Sequence, residues 1–174
     1  MKYKDFEYDF VERTLTNLEW IKTQSLKEKQ INDKSADSNL FFPFTNMVNQ
    51  SLGLIVLIKQ FSDENFVKTL PQEVEYYHLT KDDIEGIVEE EQMLYLTLTH
   101  LRNSIAHGRV KQSDDHNDEI TEVVFWDAEP WRLKNQGKDM TFENAEVKIF
   151  LTFEKLQHFA ITIANEYLKK KQNK

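Results

Sequence analysis

The sequence predicts a mainly α-helical domain with four main helices and one small sheet. Three observations lead there. Only four Gly and three Pro occur in 174 residues, so few positions interrupt regular structure. Apolar residues recur at helical spacing along most of the chain. Between residues 120 and 153 that spacing gives way to strand-like alternation.

The elements follow in order. From Tyr3 to about Gln30 the apolar positions Tyr3, Phe6, Phe10, Leu18 and Ile21, widened by Val11, Leu15 and Trp20, mark an amphipathic helix. Residues 32 to 39 form a polar loop. A second helix starts near Pro43 to Thr45 and reaches about Gln60; Leu52 to Ile58 is apolar on nearly every side and belongs in the core. Residues 62 to 80, with Pro71, read as a loop that has room for a short turn of helix. Thr80 with Asp83 has the spacing of an N-cap signal for a third helix, which carries Met93, Leu94, Leu98, Leu101 and Ile105 toward Gly108. Ile120 to Trp126 and Val147 to Phe153 read as two strands that can pair, joined by a long connection over 127 to 144. A last helix spans about Phe153 to Lys170, with Leu156, Phe159, Ala160, Ile163, Tyr167 and Leu168 on one face. Its Lys169-Lys170-Lys171 end suits the negative pole of a helix dipole. No repeat or linker divides the chain, so residues 1–174 form one domain.

Composition narrows the function. The chain is 40% hydrophobic and 12% aromatic, enough for a packed core. Cysteine is absent, which removes disulfides, Fe–S clusters and Cys-bound zinc and fits a reducing compartment. The N-terminus lacks the apolar stretch of a signal peptide, and no apolar run can cross a bilayer. A soluble, cytoplasmic protein without a membrane partner is expected. The net charge of −8 argues against a coat that binds nucleic acid along its whole surface, though a local cationic site stays compatible with it. Acids crowd at Asp82, Asp83, Glu85 and Glu89 to Glu91, as a solvated helix face or a docking surface for a basic partner. Arg102, Arg109 and Lys111 surround the segment that follows.

That segment, Arg102-Asn103-Ser104-Ile105-Ala106-His107 closed by Gly108, has the chemistry. It brings a permanent cation, an amide and a titratable imidazole to a helix end. At about 100° per residue, Leu94, Leu98, Leu101 and Ile105 fall within roughly 60° of arc. His107 lies about 140° from that stripe, with Asn103 beside it at i−4 and His100 near the same meridian at i−7. Arg102 sits on a flank with a side chain long enough to reach round. Gly108 suits the left-handed residue that ends a helix, and the dipole there favours the protonated imidazole. Such a group exchanges protons near neutral pH. The bland reading is an ordinary helix end, with Asn103 capping nearby backbone. His100 and His107 do not have the i, i+4 spacing that chelates a metal from one helix, so no metal site and no cofactor is expected. His78, His116 and His158 stand alone in sequence. Trp126 and Trp131 suit either base stacking or packing of the sheet on the helices. Ser104 has no triad context.

The Arg-x4-His segment with Asn103, Ala106 and Gly108 resembles the HEPN superfamily, whose ribonuclease members carry Arg, four to six residues, then His at a helix end. Arg13-Thr14, Asn17-Leu18 and Ile21, with Phe42-Pro43-Phe44-Thr45, Asn49 and Leu52-Gly53-Leu54, are similar to a plasmid-borne bacterial HEPN subfamily. Phe125-Trp126 and the terminal helix fit it too. The resemblance implies a bundle of four to five helices with a small β-hairpin between the motif helix and the C-terminal helix, pairing as a homodimer so that two motifs face one cleft. It implies metal-independent RNA cleavage to a 2′,3′-cyclic phosphate in a toxin or anti-phage effector. His107 would act as acid/base, Arg102 would hold the scissile phosphate, and Asn103 would orient the imidazole or bind the phosphate. His100, Ser104, Arg109 and Lys111 stand near enough to contact substrate. An antitoxin or defence-operon partner follows from the same resemblance. Some toxin relatives carry a Tyr two positions after the His, which a partner enzyme modifies with AMP; this chain has Arg109 there. The alternative is a catalytically silent HEPN module that binds nucleotide, RNA or a protein.

Overall fold

In the computed structural model, residues 5–31, 43–61, 64–112 and 122–172 are described. The expected polar loop at 32 to 39, Tyr3 and His116 lie outside them. Helices α1 (Phe6–Ile31), α2 (Pro43–Phe61), α4 (Met93–Ala106) and α6 (Phe153–Gln172) form a bundle, with short helices α3 (Glu64–Lys68) and α5 (Pro130–Asn135) between them. The bundle core is apolar throughout. Leu18 of α1, Leu54, Ile55 and Ile58 of α2, Leu94, Leu98 and Leu101 of α4, and Phe159 and Ile163 of α6 are fully enclosed. Each such side chain contributes roughly 1.5–3 kcal/mol by leaving water.

The first helix buries a narrower stripe than expected. Val11, Leu15, Leu18 and Ile21 face the core, but Phe6 and Trp20 are more than half exposed. Trp20 is two residues past Leu18, about 200° round the helix, so it must face away. Phe6 sits in the opening turn, where its ring meets Phe10 and Phe61 instead of the core.

The expected third helix divides. Thr80 and Asp83 do form a reciprocal capping box, but it caps a single 3₁₀ turn over Lys81–Asp83. Strand β1 (Ile84–Glu85) follows, then Gly86 at φ +88°, and α4 begins only at Met93. Gly86 explains the break: a Cβ there would lie 1.9 Å from the Glu146 carbonyl oxygen, so the chain passes where only glycine fits. The acidic cluster is therefore not a helix face. Asp83 pairs with Lys155 of α6, and Glu90 with Lys81.

The two expected strands pair antiparallel as β3 (Glu122–Asp127) and β4 (Val147–Thr152), with Phe125 opposite Ile149. Two short strands extend them. β1 joins the outer side of β4, and β2 (Val110–Gln112) joins β3, giving the order β1-β4-β3-β2. The strand preceding the motif helix and the one following it thus belong to one sheet. The long connection after β3 holds α5 rather than running without structure. Val123, Phe125, Ile149 and Leu151 point into the core, and β3 packs on α4. No helix among the described residues is long and apolar enough to cross a membrane.

Candidate functional site

The motif occupies the last turn of α4 and the turn into β2. Gly108 adopts φ +64°, and two backbone bonds close the helix: Gly108 N–H to the Ile105 carbonyl at 3.2 Å and Arg109 N–H to the Ser104 carbonyl at 2.8 Å. This pair is a Schellman motif, in which the left-handed glycine lets two otherwise unpaired carbonyls find donors. The helix ends at Ala106 with His107 as its cap. The chain then enters β2 directly, so the motif is anchored at its C-terminal side by the sheet.

Arg102 reaches round the helix as its length allows, and its Nη1 donates to Asn103 Oδ1 at 3.2 Å. The amide is held from the other end, where Asn103 Nδ2 donates to Asp127 Oδ2 at 3.1 Å. The same oxygen lies 3.0 Å from His100 Nδ1, and Arg109 donates to Asp127 Oδ1. One carboxylate thus gathers three side chains around the motif: His100, Asn103 and Arg109. With Nδ1–H directed at Asp127, His100 turns its Nε2 edge away from the carboxylate.

His107 is exposed, and among the described residues its ring has no hydrogen-bond partner; only its backbone N–H is engaged, with the Asn103 carbonyl at 3.1 Å. The Arg102–Asn103 unit is therefore built into the fold, while the imidazole one turn on faces solvent. Ser104 goes the other way. It is 1% exposed, and its hydroxyl lies 2.7 Å from the His100 carbonyl and 2.9 Å from that of Trp126. It ties helix to strand, enclosed rather than offered to a ligand. Lys111 is exposed on β2.

Asp127 has no place in the motif, yet it organises it. Burial alone pushes its carboxyl up, but the donors from His100 and Asn103, the nearby imidazole and the Ala128 backbone N–H outweigh that and hold it below the ordinary carboxylate value. The signal was present in the alternation: Val123, Phe125 and Asp127 share the inward face of β3, so an acid at the third position must be buried and paired. Histidines 78 and 158, separate in sequence, meet with ring centroids 5.0 Å apart, away from the motif. Among the described residues no group of three or more His, Asp or Glu side chains is arranged to hold a metal ion.

The family described as HEPN pEK499 p136 matches residues 1–174. No curated protein and no solved structure gives a significant match. A helical bundle with a small antiparallel sheet agrees with that match. The chain belongs to the HEPN pEK499 p136 family.

Proposed function

We propose that this protein is a metal-independent endoribonuclease of the HEPN type, working in toxicity or phage defence. The observation that carries the reading is the Arg102–Asn103 hydrogen bond, anchored at Asp127, beside a solvent-exposed His107. A fixed guanidinium suits a phosphate, because its planar fork matches two phosphate oxygens and its charge never titrates away. An exposed imidazole suits proton transfer near neutral pH.

In the reaction, a base removes the ribose 2′-hydroxyl proton and that oxygen attacks phosphorus. The bond from phosphorus to the 5′-oxygen breaks, and an acid returns a proton to the leaving oxygen. The products are a 2′,3′-cyclic phosphate and a 5′-hydroxyl. Arg102 stabilises the charge gathering on the non-bridging oxygens. His107 from one protomer and His107 from a second supply base and acid, so the active form is a homodimer. A neighbouring antitoxin or defence component restrains it. The acidic net charge and the internal engagement of Arg102 and Arg109 favour a second reading, an inactive module that binds without cleaving.

The test is incubation of the purified protein with tRNA and with mixed RNA in EDTA, beside His107→Ala and Arg102→Ala. Cleavage by the wild type alone, leaving cyclic phosphate ends, supports the nuclease. Three equally inert proteins would overturn it. Sedimentation at working concentration tests the dimer, and a monomer with full activity would contradict it.

A further inference from the structure

The sheet has two unlike faces. The inner face packs on α4 and the core. On the outer face, register places Lys111 opposite Val124 and Trp126 opposite Lys148. Phe142, from the segment before β4, stands edge-on to Trp126 with centroids 6.4 Å apart. Both lysine ammonium groups lie against that phenyl ring, Lys111 at 5.1 Å and Lys148 at 4.8 Å from its centroid. The Arg109 guanidinium lies 5.7 Å from the Trp126 ring.

Two ammonium groups gathered at one ring repel each other, a cost that the ring face partly offsets. Among the described residues neither lysine is within ion-pair distance of a carboxylate. The exposed Glu143 carboxyl is held below its ordinary value first by its own backbone N–H and the Thr141 hydroxyl, then by the charges of Lys111 and Lys148. The patch is also continuous with the motif: Arg109 bonds Asp127 beneath the motif and leans on Trp126, whose backbone N–H donates to the Arg109 carbonyl at 3.1 Å.

We propose that the outer face of β2–β3–β4 is a single-stranded RNA track leading from the motif, in which Lys111 and Lys148 contact backbone phosphates. Trp126 and Phe142 hold the cations in place, and Arg109 joins the track to the site. Paired cations and rings along one sheet face are the chemistry that takes a flexible polyanionic strand, since phosphates meet the charges and unpaired bases find π-faces. The choice of RNA rests on the ribonuclease reading; the cationic face itself does not.

The experiment measures binding of a fluorescent single-stranded RNA by anisotropy, from low to moderate salt. It uses His107→Ala as the host, so that cleavage plays no part. Lys111→Ala with Lys148→Ala in that host should weaken binding about tenfold. Each lost phosphate contact should reduce the slope of log affinity against log salt by about 0.7, so the pair reduces it by about 1.4. Lys111→Glu with Lys148→Glu should weaken it further, and unchanged melting of each variant shows that the fold persists. Unchanged affinity and slope would overturn the track. Equal loss of binding to poly-glutamate, with no preference for RNA, would reassign the face to acidic peptides and overturn it too. Lysine-dependent RNA binding by a wild type that never cleaves would sink the nuclease and leave the track. Cleavage with an unaltered KM in the double lysine variant would do the reverse.

Discussion

Asn103 donates to the buried Asp127 carboxylate across the junction of α4 and β3, and the same amide accepts from Arg102. The position of the motif arginine therefore depends on a strand residue 25 positions away. Asp127→Ala should remove that dependence and leave Arg109 and His100 facing an empty site. Breaking a buried pair by deleting one partner costs about 3–5 kcal/mol. Denaturant unfolding of Asp127→Ala should show a loss of that order, whereas Asp127→Asn, which keeps the shape and can still accept, should lose less. A stability equal to wild type in the alanine variant would show that the network holds nothing.

The same carboxylate sets a pH dependence. Its value in the folded protein lies below the ordinary 3.8, so the folded state binds fewer protons than the unfolded one in that range. Stability from Asp127 is then fully present above about 4 and disappears as pH falls through the lower folded value. Asp83 acts with the same sign. Burial raises its carboxyl, but Lys155 and the Thr80 backbone and hydroxyl donors lower it further. Denaturant midpoints measured from pH 6 downward should fall below about pH 4, and Asp127→Asn should flatten part of that fall. An unchanged acid limb in this variant would remove Asp127 from the account.

His107 and Arg102 should separate in their kinetics if RNA is cleaved. His107 is exposed, so His107→Ala should leave the melting temperature unchanged while lowering kcat by 10²–10⁴, the usual worth of a positioned acid/base. Arg102→Lys should fail as a conservative change, because an ammonium cannot reproduce the bidentate fork toward a phosphate. Full activity in Arg102→Lys would show that only the charge matters. Asn103→Ala should reduce kcat through Arg102 and also lower stability, since it strips one donor from Asp127.

Much of this arrangement is legible in the sequence. The helical period of Leu94, Leu98 and Leu101 and the alternation of Val147, Ile149 and Leu151 reported burial directly, and all six are buried. Gly108 announced the helix end because its left-handed φ is a local requirement. What stayed hidden was non-local. Thr80 and Asp83 do form the capping box, yet which helix follows depends on Gly86 passing the Glu146 carbonyl, 60 residues along. Asp127 acquired its role only when β3 was laid against α4, and no spacing within either segment encodes that meeting. Phe6 and Trp20 looked like core residues because their chemistry is apolar, although their angles on α1 turn them outward.

Two positive-φ glycines, Gly86 and Gly108, bracket α4. Both need a left-handed backbone, which costs a residue bearing a Cβ roughly 1–2 kcal/mol. At Gly108, φ +64°, nothing lies within 4 Å of where a Cβ would stand, so Gly108→Ala should lose about that conformational cost and no more. At Gly86, φ +88°, the same carbon would lie 1.9 Å from the Glu146 oxygen, a backbone atom that cannot swing aside. Relieving it means moving β1 off β4, where Ile84 pairs with Ile149, or displacing the Glu146 backbone, whose N–H donates to the Asp127 carbonyl at 3.0 Å. Gly86→Ala should therefore destabilise the protein by more than twice as much as Gly108→Ala in equilibrium unfolding. It should also weaken hydrogen-exchange protection at the β1–β4 edge, because the strain must be released where the two backbones cross. Equal losses at the two glycines would mean that the close approach at Gly86 is relaxed without cost and that β1 is not held against the sheet by this contact.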